Sequence, residues 1–165
     1  MPVATKPSIR DKRQVVEQFH DAPPVNVIGL AKALGLRVYE TKEWPEDISG
    51  AIVRDSDKGG SSGFAIYVNG KHNSKRQRFT IAHEIAHYIL HEDLISDGLT
   101  DDKLYRSFLR NRHETQANNL AADILMPWKL INHYPPDSWS VRMLAEKFDV
   151  SESAMAIRLG VPAEE

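Results

Sequence analysis

Residues 83–87 read His83-Glu84-Ile85-Ala86-His87. Histidines four apart lie on one face of a helix, one turn above the other, so both imidazoles can reach a single metal ion. The glutamate between them is then placed to act as general base on a water at that ion, which is the mechanical content of the H-E-x-x-H pattern. The chemistry implied is zinc-dependent hydrolysis, first of all of peptide bonds. The competing reading is a polar stripe on an ordinary helix. The surroundings disfavour it, because Phe79, Ile81, Ala82, Ile85, Ala86, Ile89 and Leu90 make the segment apolar around most of its circumference. Imidazole and carboxylate groups are costly to bury without a partner, and a metal supplies one. Upstream, Asn73-Ser74 offers an N-cap and Ser74-x-x-Gln77 matches a capping box, which gives this helix a defined start.

A catalytic zinc takes three protein ligands plus water, so two histidines leave one position to fill. His91 continues the same stripe but sits about 12 Å along the axis from His83, too far for a third donor on a straight helix. It reads as a solvated residue or one supporting the site. Asp93 has the offset of a metzincin-like pattern, but Leu90 stands where that pattern needs a glycine to turn the chain back. Glu114 is better placed. It borders the apolar stripe Ala117, Leu120, Ala121, Ile124 and Leu125 of a helix expected over His113–Met126. Asn118, one turn on, can hydrogen-bond a ligand histidine and fix its tautomer. An exposed first-turn glutamate is the plain alternative for Glu114; beside a site short of one ligand, it is the weaker one.

These donors need a scaffold. With 165 residues, 41% hydrophobic content and three Trp, the chain has the material for one domain core with a small appendage. Its net charge of −2 gives no global attraction to nucleic acid or anionic membrane. The absence of cysteine excludes a disulfide framework, a thiolate metal site and a cysteine nucleophile. Neither a signal-length apolar run at Met1-Pro2-Val3-Ala4-Thr5-Lys6-Pro7 nor a membrane-length segment elsewhere is present, so a cytoplasmic protein is expected.

Helices are expected over Ser8–His20 and Val27–Leu34, the second stopped by Gly35, and the first few residues are expected to be loose. Strands follow at Leu36–Tyr39, Ile48–Arg54 and Phe64–Val68, the last two joined by a mobile polar hairpin loop over 55–63. Asn69-Gly70 turns the chain into the motif helix. An acidic loop over Glu92–Lys103 and a short helix over 104–110 precede the Glu114 helix. Pro127 and Pro135-Pro136 mark breaks, with short helices over Trp128–Asn132, Ser138–Phe148 and Ser151–Leu159. The expected class is α+β: a small antiparallel sheet against a helical core, with residues 1–134 as the chemistry-bearing domain and 135–165 as a C-terminal extension.

The run Arg78-Phe79-Thr80-Ile81-Ala82-His83-Glu84-Ile85-Ala86-His87-Tyr88-Ile89-Leu90-His91, followed by Glu114-x-x-Ala117-Asn118-x-x-Ala121-Ala122-x-x-Leu125-Met126-Pro127, resembles the ImmA/IrrE family of intracellular metallopeptidases. The likeness extends from Leu30-Ala31-x-x-Leu34-Gly35-Leu36 to the C-terminal helices. It implies a gluzincin-like core, a zinc ion (manganese as the alternative) on His83, His87 and Glu114, and Glu84 as the catalytic base. It also implies a protein substrate, typically an XRE-type helix-turn-helix repressor or antitoxin whose cleavage relieves repression of mobile-element or stress-response genes. Tyr88, His91 and His113 are unranked candidates for the donor that stabilises an oxyanion. The rival reading is a non-proteolytic toxin or regulator on the same scaffold, which binds its partner without cutting it.

Residues 144–159 have the outline of a helix-turn-helix, with Ser151 as N-cap of the second helix. Direct DNA binding is disfavoured. Residues 138–165 hold three basic side chains (Arg142, Lys147, Arg158) against five acidic ones, and the second helix offers no Asn or Gln to read bases. A packing unit, or a surface that grips the partner, fits better. The basic cluster Lys71–Arg78 reads as a solvated helix start.

Overall fold

The computed structural model describes residues 6–95 and 111–162. Helix α1 (Ile9–Gln18) opens on a capping box in which Ser8 and Asp11 exchange side-chain and backbone hydrogen bonds of 3.0 and 3.1 Å. Helix α2 (Val27–Ala33) is capped by Asn26 and ends at Gly35, whose φ of 80° places it in the left-handed region. A Cβ there would also come within 2.6 Å of Ser61 Oγ, so the turn into the sheet calls for glycine twice over.

The sheet has three strands, β1 (Leu36–Thr41), β2 (Gly50–Arg54) and β3 (Phe64–Asn69), in the order β1-β3-β2. It is mixed rather than antiparallel. β2 and β3 form the expected antiparallel hairpin, with Ile52 opposite Ile66, but β1 adds to the far edge of β3 in parallel, with Val38 opposite Ile66. The reason lies in β3, whose Phe64-Ala65-Ile66-Tyr67-Val68 run is buried on both faces and therefore takes the centre. One face, through Ile52, Phe64, Ile66 and Val68, packs on the helices; the other holds Val53, Ala65 and Tyr67 beneath Tyr39 and Trp44. The 55–63 loop, expected to be mobile, is tied down. Asp55 Oδ1 accepts from the backbone of Asp57 and Lys58, and both the backbone N–H and Oγ of Ser62 donate to the Gly35 carbonyl.

Helix α3 (Ser74–His91) is the axis of the fold: every residue from Thr80 to Ile89 is buried. Its N-cap is Asn73, whose side chain accepts from Arg76 N at 2.9 Å, while Gln77 Nε2 donates to the His72 carbonyl. The expected Ser74–Gln77 capping box is thus replaced by a cap one residue earlier, since an Asn carbonyl reaches the third backbone N–H without help. A single 3₁₀ turn, Glu92–Leu94, follows α3. The remainder of the expected acidic loop and the expected 104–110 helix lie outside the described residues. Helix α4 (Asn111–Leu125) packs along α3 through Ala117, Leu120, Ala121, Ile124 and Leu125.

Short helices α5 (Trp128–Ile131), α6 (Val141–Phe148) and α7 (Glu152–Leu159) complete the chain, and Leu144, Phe148 and Met155 belong to the same apolar cluster as the α3 residues. Two arginines tie the C-terminal helices to the rest. Arg78 on α3 donates to the Asp149 and Phe148 carbonyls at the end of α6 and faces the Asp149 carboxylate at 3.3 Å. Arg158 on α7 donates to the Met126 carbonyl, pairs with Asp123 at 2.9 Å and lies over the Trp128 ring. Among the described residues no helix is long and apolar enough to cross a membrane.

Candidate metal centre

The α3–α4 contact brings the expected donors together. His87 Nε2 lies 2.9 Å from Glu114 Oε1, His83 Nε2 lies 3.2 Å from Glu114 Oε2, and the two Nε2 atoms are 3.1 Å apart. Donors at 2.0–2.2 Å from a tetrahedral ion are separated by about 3.3 Å, so this set is within a few tenths of an ångström of the edges of a zinc polyhedron. The donors are two histidines and a carboxylate, the chemistry of a catalytic zinc site with a position left for water. On both counts the residues fit the ion. No other group of His, Cys, Asp and Glu among the described residues has that spacing.

The far side of each imidazole is also held. Asn118 Oδ1 is 2.8 Å from His83 Nδ1, and since an amide oxygen only accepts, it takes the proton of Nδ1 and, in the neutral ring, leaves the lone pair on Nε2. His87 Nδ1 is 2.9 Å from His91 Nδ1. His91 is 7% exposed, so of the two readings open for it the solvated one is excluded. The Asp93 side chain is 91% exposed and faces Lys6 at 3.7 Å, away from the donors. Glu114 is held ionised: where the imidazoles are protonated on both nitrogens, His83 and then His87 donate to it through Nε2 and pull its carboxyl far below the ordinary carboxylate range, outweighing partial burial.

Glu84 is 1% exposed and lines the same cleft as His83, Glu114 and Asn118, a cavity of about 550 Å³. Beside it stands Gly50 at the start of β2. A Cβ at that position would overlap Thr80 Cγ2, approach the Tyr67 carbonyl oxygen to 2.8 Å, and sit 3.7 Å from Glu84 Oε1. Phe79, Val150, Ala154 and Ile157 form an apolar wall, with Ser49, Lys75 and Arg76 opposite in character. Of the basic cluster at the helix start, Lys71 and Arg78 are engaged with backbone carbonyls and Arg76 with Ser49, while Lys75 faces the cleft. None of Tyr88, His91 and His113 lines this cleft: Tyr88 is packed against Phe64, and the His113 ring stands edge-on to His91.

Sequence reasoning missed the cleft walls. Gly50 and the α7 residues lie far from the motif in the chain, and only the packing of β2 and α7 against α3 brings them to it. It also missed Lys12, 3% exposed, whose Nζ donates to the Tyr88 carbonyl at 3.0 Å, faces Glu92 Oε2 at 3.4 Å and lies 4.0 Å over the Tyr88 ring. Lys12 stands one turn before Val15 and Val16 on the buried face of α1, so the helical spacing did carry a signal for it.

Comparison with known proteins follows the same residues. The model of a peptidase family described as the IrrE N-terminal-like domain matches residues 31–160. The chain is 30% identical over 155 residues to the radiation response metalloprotease IrrE of Deinococcus deserti, which covers 81% of this chain and 54% of that protein. It is 37% identical over 95 residues to IrrE of Deinococcus radiodurans, covering 54% of this chain and 28% of that protein. To the metallopeptidase ImmA of Bacillus subtilis it is 27% identical over 150 residues, covering 90% and 82%. The chain therefore spans about half the length of the first relative, and less of the second. In fold it is similar to a transcriptional regulator of Mycobacterium tuberculosis, with a TM-score of 0.61 over 91% of this chain and 45% of that one at 16% identity.

Proposed function

The chain belongs to the family of the IrrE N-terminal-like domain, and from that premise we propose that it is a zinc-dependent endopeptidase that cuts a regulatory protein partner. The observation that carries this reading is the convergence of His83 Nε2, His87 Nε2 and the Glu114 carboxylate within 4.8 Å, in a cleft that Glu84 also lines. Two imidazoles and a carboxylate converging on one point are a donor set that could hold a metal ion. His83, His87 and Glu114 would hold it on a gluzincin-like core, with Asn118 fixing His83; zinc is the first choice and manganese the alternative. A bound zinc supplies Lewis acidity, polarising a carbonyl and bringing the pKa of water toward ~7. Glu84 takes the proton from the attacking water and delivers it to the leaving amine. Its burial keeps that transfer away from bulk solvent.

The cleft runs along α3 from His83 toward Lys75, about 12 Å at 1.5 Å per residue, which an extended peptide spans with three to four residues. The substrate is then a protein segment that can be presented extended. We assign it to an XRE-type helix-turn-helix repressor or antitoxin in the cytoplasm, whose cleavage relieves repression. The Deinococcus relatives are radiation response metalloproteases, which supports a regulatory setting. Residues 1–134 carry the chemistry and 135–165 form a helix-turn-helix-like extension that places Ala154 and Ile157 on the cleft rim. Its charge balance makes it a protein-facing surface rather than a DNA-binding one.

The experiment is direct. The purified chain, with zinc or manganese, is incubated with XRE-type helix-turn-helix proteins from the same genome, in parallel with Glu84→Gln. Cleavage by the wild type is expected, with a rate at least ~10²-fold lower in the variant at equal metal content. Partner binding without cleavage by the metal-loaded wild type overturns the peptidase reading in favour of the binding regulator.

A further inference from the structure

His91 is buried yet has no place in the donor set, and Gln116, which it touches, lies exposed on α4. His91 Nδ1 is 2.9 Å from His87 Nδ1, and His91 Nε2 is 2.9 Å from Gln116 Oε1. From this chain of contacts we infer that Gln116, acting through His91, fixes the tautomer of His87 and thereby aims the His87 Nε2 lone pair into the metal centre. The inference rests on the reading of His83, His87 and Glu114 as metal donors.

The argument is one of donors and acceptors. An amide oxygen cannot donate, so the contact with Gln116 places a proton on His91 Nε2. A neutral imidazole protonated there has its lone pair on Nδ1. The contact between the two Nδ1 atoms must then be filled by the proton of His87 Nδ1, which in the neutral ring leaves a lone pair on His87 Nε2. That is the atom 2.9 Å from Glu114 Oε1 and 3.1 Å from His83 Nε2. Reversing the polarity at Gln116 reverses every link and puts a proton on His87 Nε2, where it competes with the ion. Asn118 gives His83 the same orientation in one step, at 2.8 Å. For His87, 1% exposed and deeper in the core, His91 carries the orientation from the surface amide. Gln116 and His91 are therefore positioning residues, acting on the metal only through His87.

Because Gln116 is exposed, its replacement leaves the core intact, and polarity can be inverted without removing a ligand. Gln116→Glu keeps an acceptor; Gln116→Lys offers only donors. Long-range ¹H–¹⁵N spectra of the histidine rings in the chelated full chain, at one fixed pH, distinguish the two tautomers of His87 and His91. Cobalt(II) titration followed by visible absorption gives metal affinity. The expected result is a His87 protonated on Nδ1 in wild type and Gln116→Glu, a shift to the Nε2-protonated form in Gln116→Lys, and a cobalt Kd raised about 10- to 100-fold in Gln116→Lys but restored to within about threefold in Gln116→Glu. An unchanged tautomer in Gln116→Lys, or an unchanged cobalt Kd, overturns the inference. A wild type that binds no cobalt fails the metal reading itself, and in that case the ring-nitrogen shifts decide the Gln116–His91–His87 chain on their own.

Discussion

Glu114→Gln tests the third ligand with the least structural disturbance, since the side chain keeps its shape and loses its charge. Both carboxylate oxygens are engaged, Oε1 at 2.9 Å and Oε2 at 3.2 Å from the two histidine Nε2 atoms. An ion that binds the folded chain alone stabilises it by RT ln(1 + [M]/Kd), about 2.7 kcal/mol at a hundredfold excess over Kd. For a chain of this size each kcal/mol moves Tm by roughly 2–4 °C, so saturating zinc should raise the wild-type Tm by about 5–11 °C. If the missing charge weakens binding a hundredfold, the same zinc concentration stabilises the variant by only ~0.4 kcal/mol, about 1–2 °C. The assay is a thermal melt of chelated and zinc-loaded protein, wild type against Glu114→Gln, with His83→Ala as the control that loses the shift. A Glu114→Gln shift equal to that of the wild type, with His83→Ala showing none, would refute the assignment of Glu114. Asp93 could not then be substituted for it, because its side chain faces solvent and Lys6.

Other outcomes follow from the same geometry. Gly50→Ala should cost about 1–3 kcal/mol in urea unfolding, because the added methyl overlaps Thr80 and crowds the Tyr67 carbonyl; a midpoint equal to the wild type would show that β2 yields freely. Lys12→Ala removes the buried ammonium from the partly buried Glu92 and from the Tyr88 carbonyl, and a loss of about 1–3 kcal/mol is expected by denaturant unfolding, with no measurable loss contradicting the pair. The Glu114 carboxyl is lowered from 4.5 in the folded chain, so its stabilising contribution is present above that value and disappears as the pH falls through it toward the folded value. In chelated protein the stability gap between wild type and Glu114→Gln should accordingly narrow between about pH 5 and pH 3, and a gap constant over that range would contradict the ion-pair geometry.

What was legible in the sequence follows from how local each signal is. The convergence of His83 and His87 could be read because a spacing of four on a helix is a fixed geometric relation, independent of everything else in the fold. Glu114 and Asn118 were legible for the same reason, once a helix with an apolar stripe had been drawn through them. The parallel placement of β1 was not, because hairpin signals describe neighbours in the chain and β1 pairs across an intervening strand. The Phe64-Ala65-Ile66-Tyr67-Val68 run did carry the clue that β3 is central. His91 was restricted to two readings and the packing of α4 chose between them. Gln116 had no signal at all, since its role depends on where the α3–α4 crossing puts one exposed amide.

The ten-residue stretch Thr80–Ile89, buried on every side, also bears on how this site can be controlled. Local openings in a protein draw on its least packed segments, and the amides of a helix enclosed by sheet and helices exchange only when the whole cooperative unit opens. His83, Glu84 and His87 are therefore expected among the slowest-exchanging amides of the molecule. On the proposed function, such a frame would not be tuned by loosening the two α3 histidines; control would fall to the perimeter, to what occupies the cleft and to how α4 presents its carboxylate.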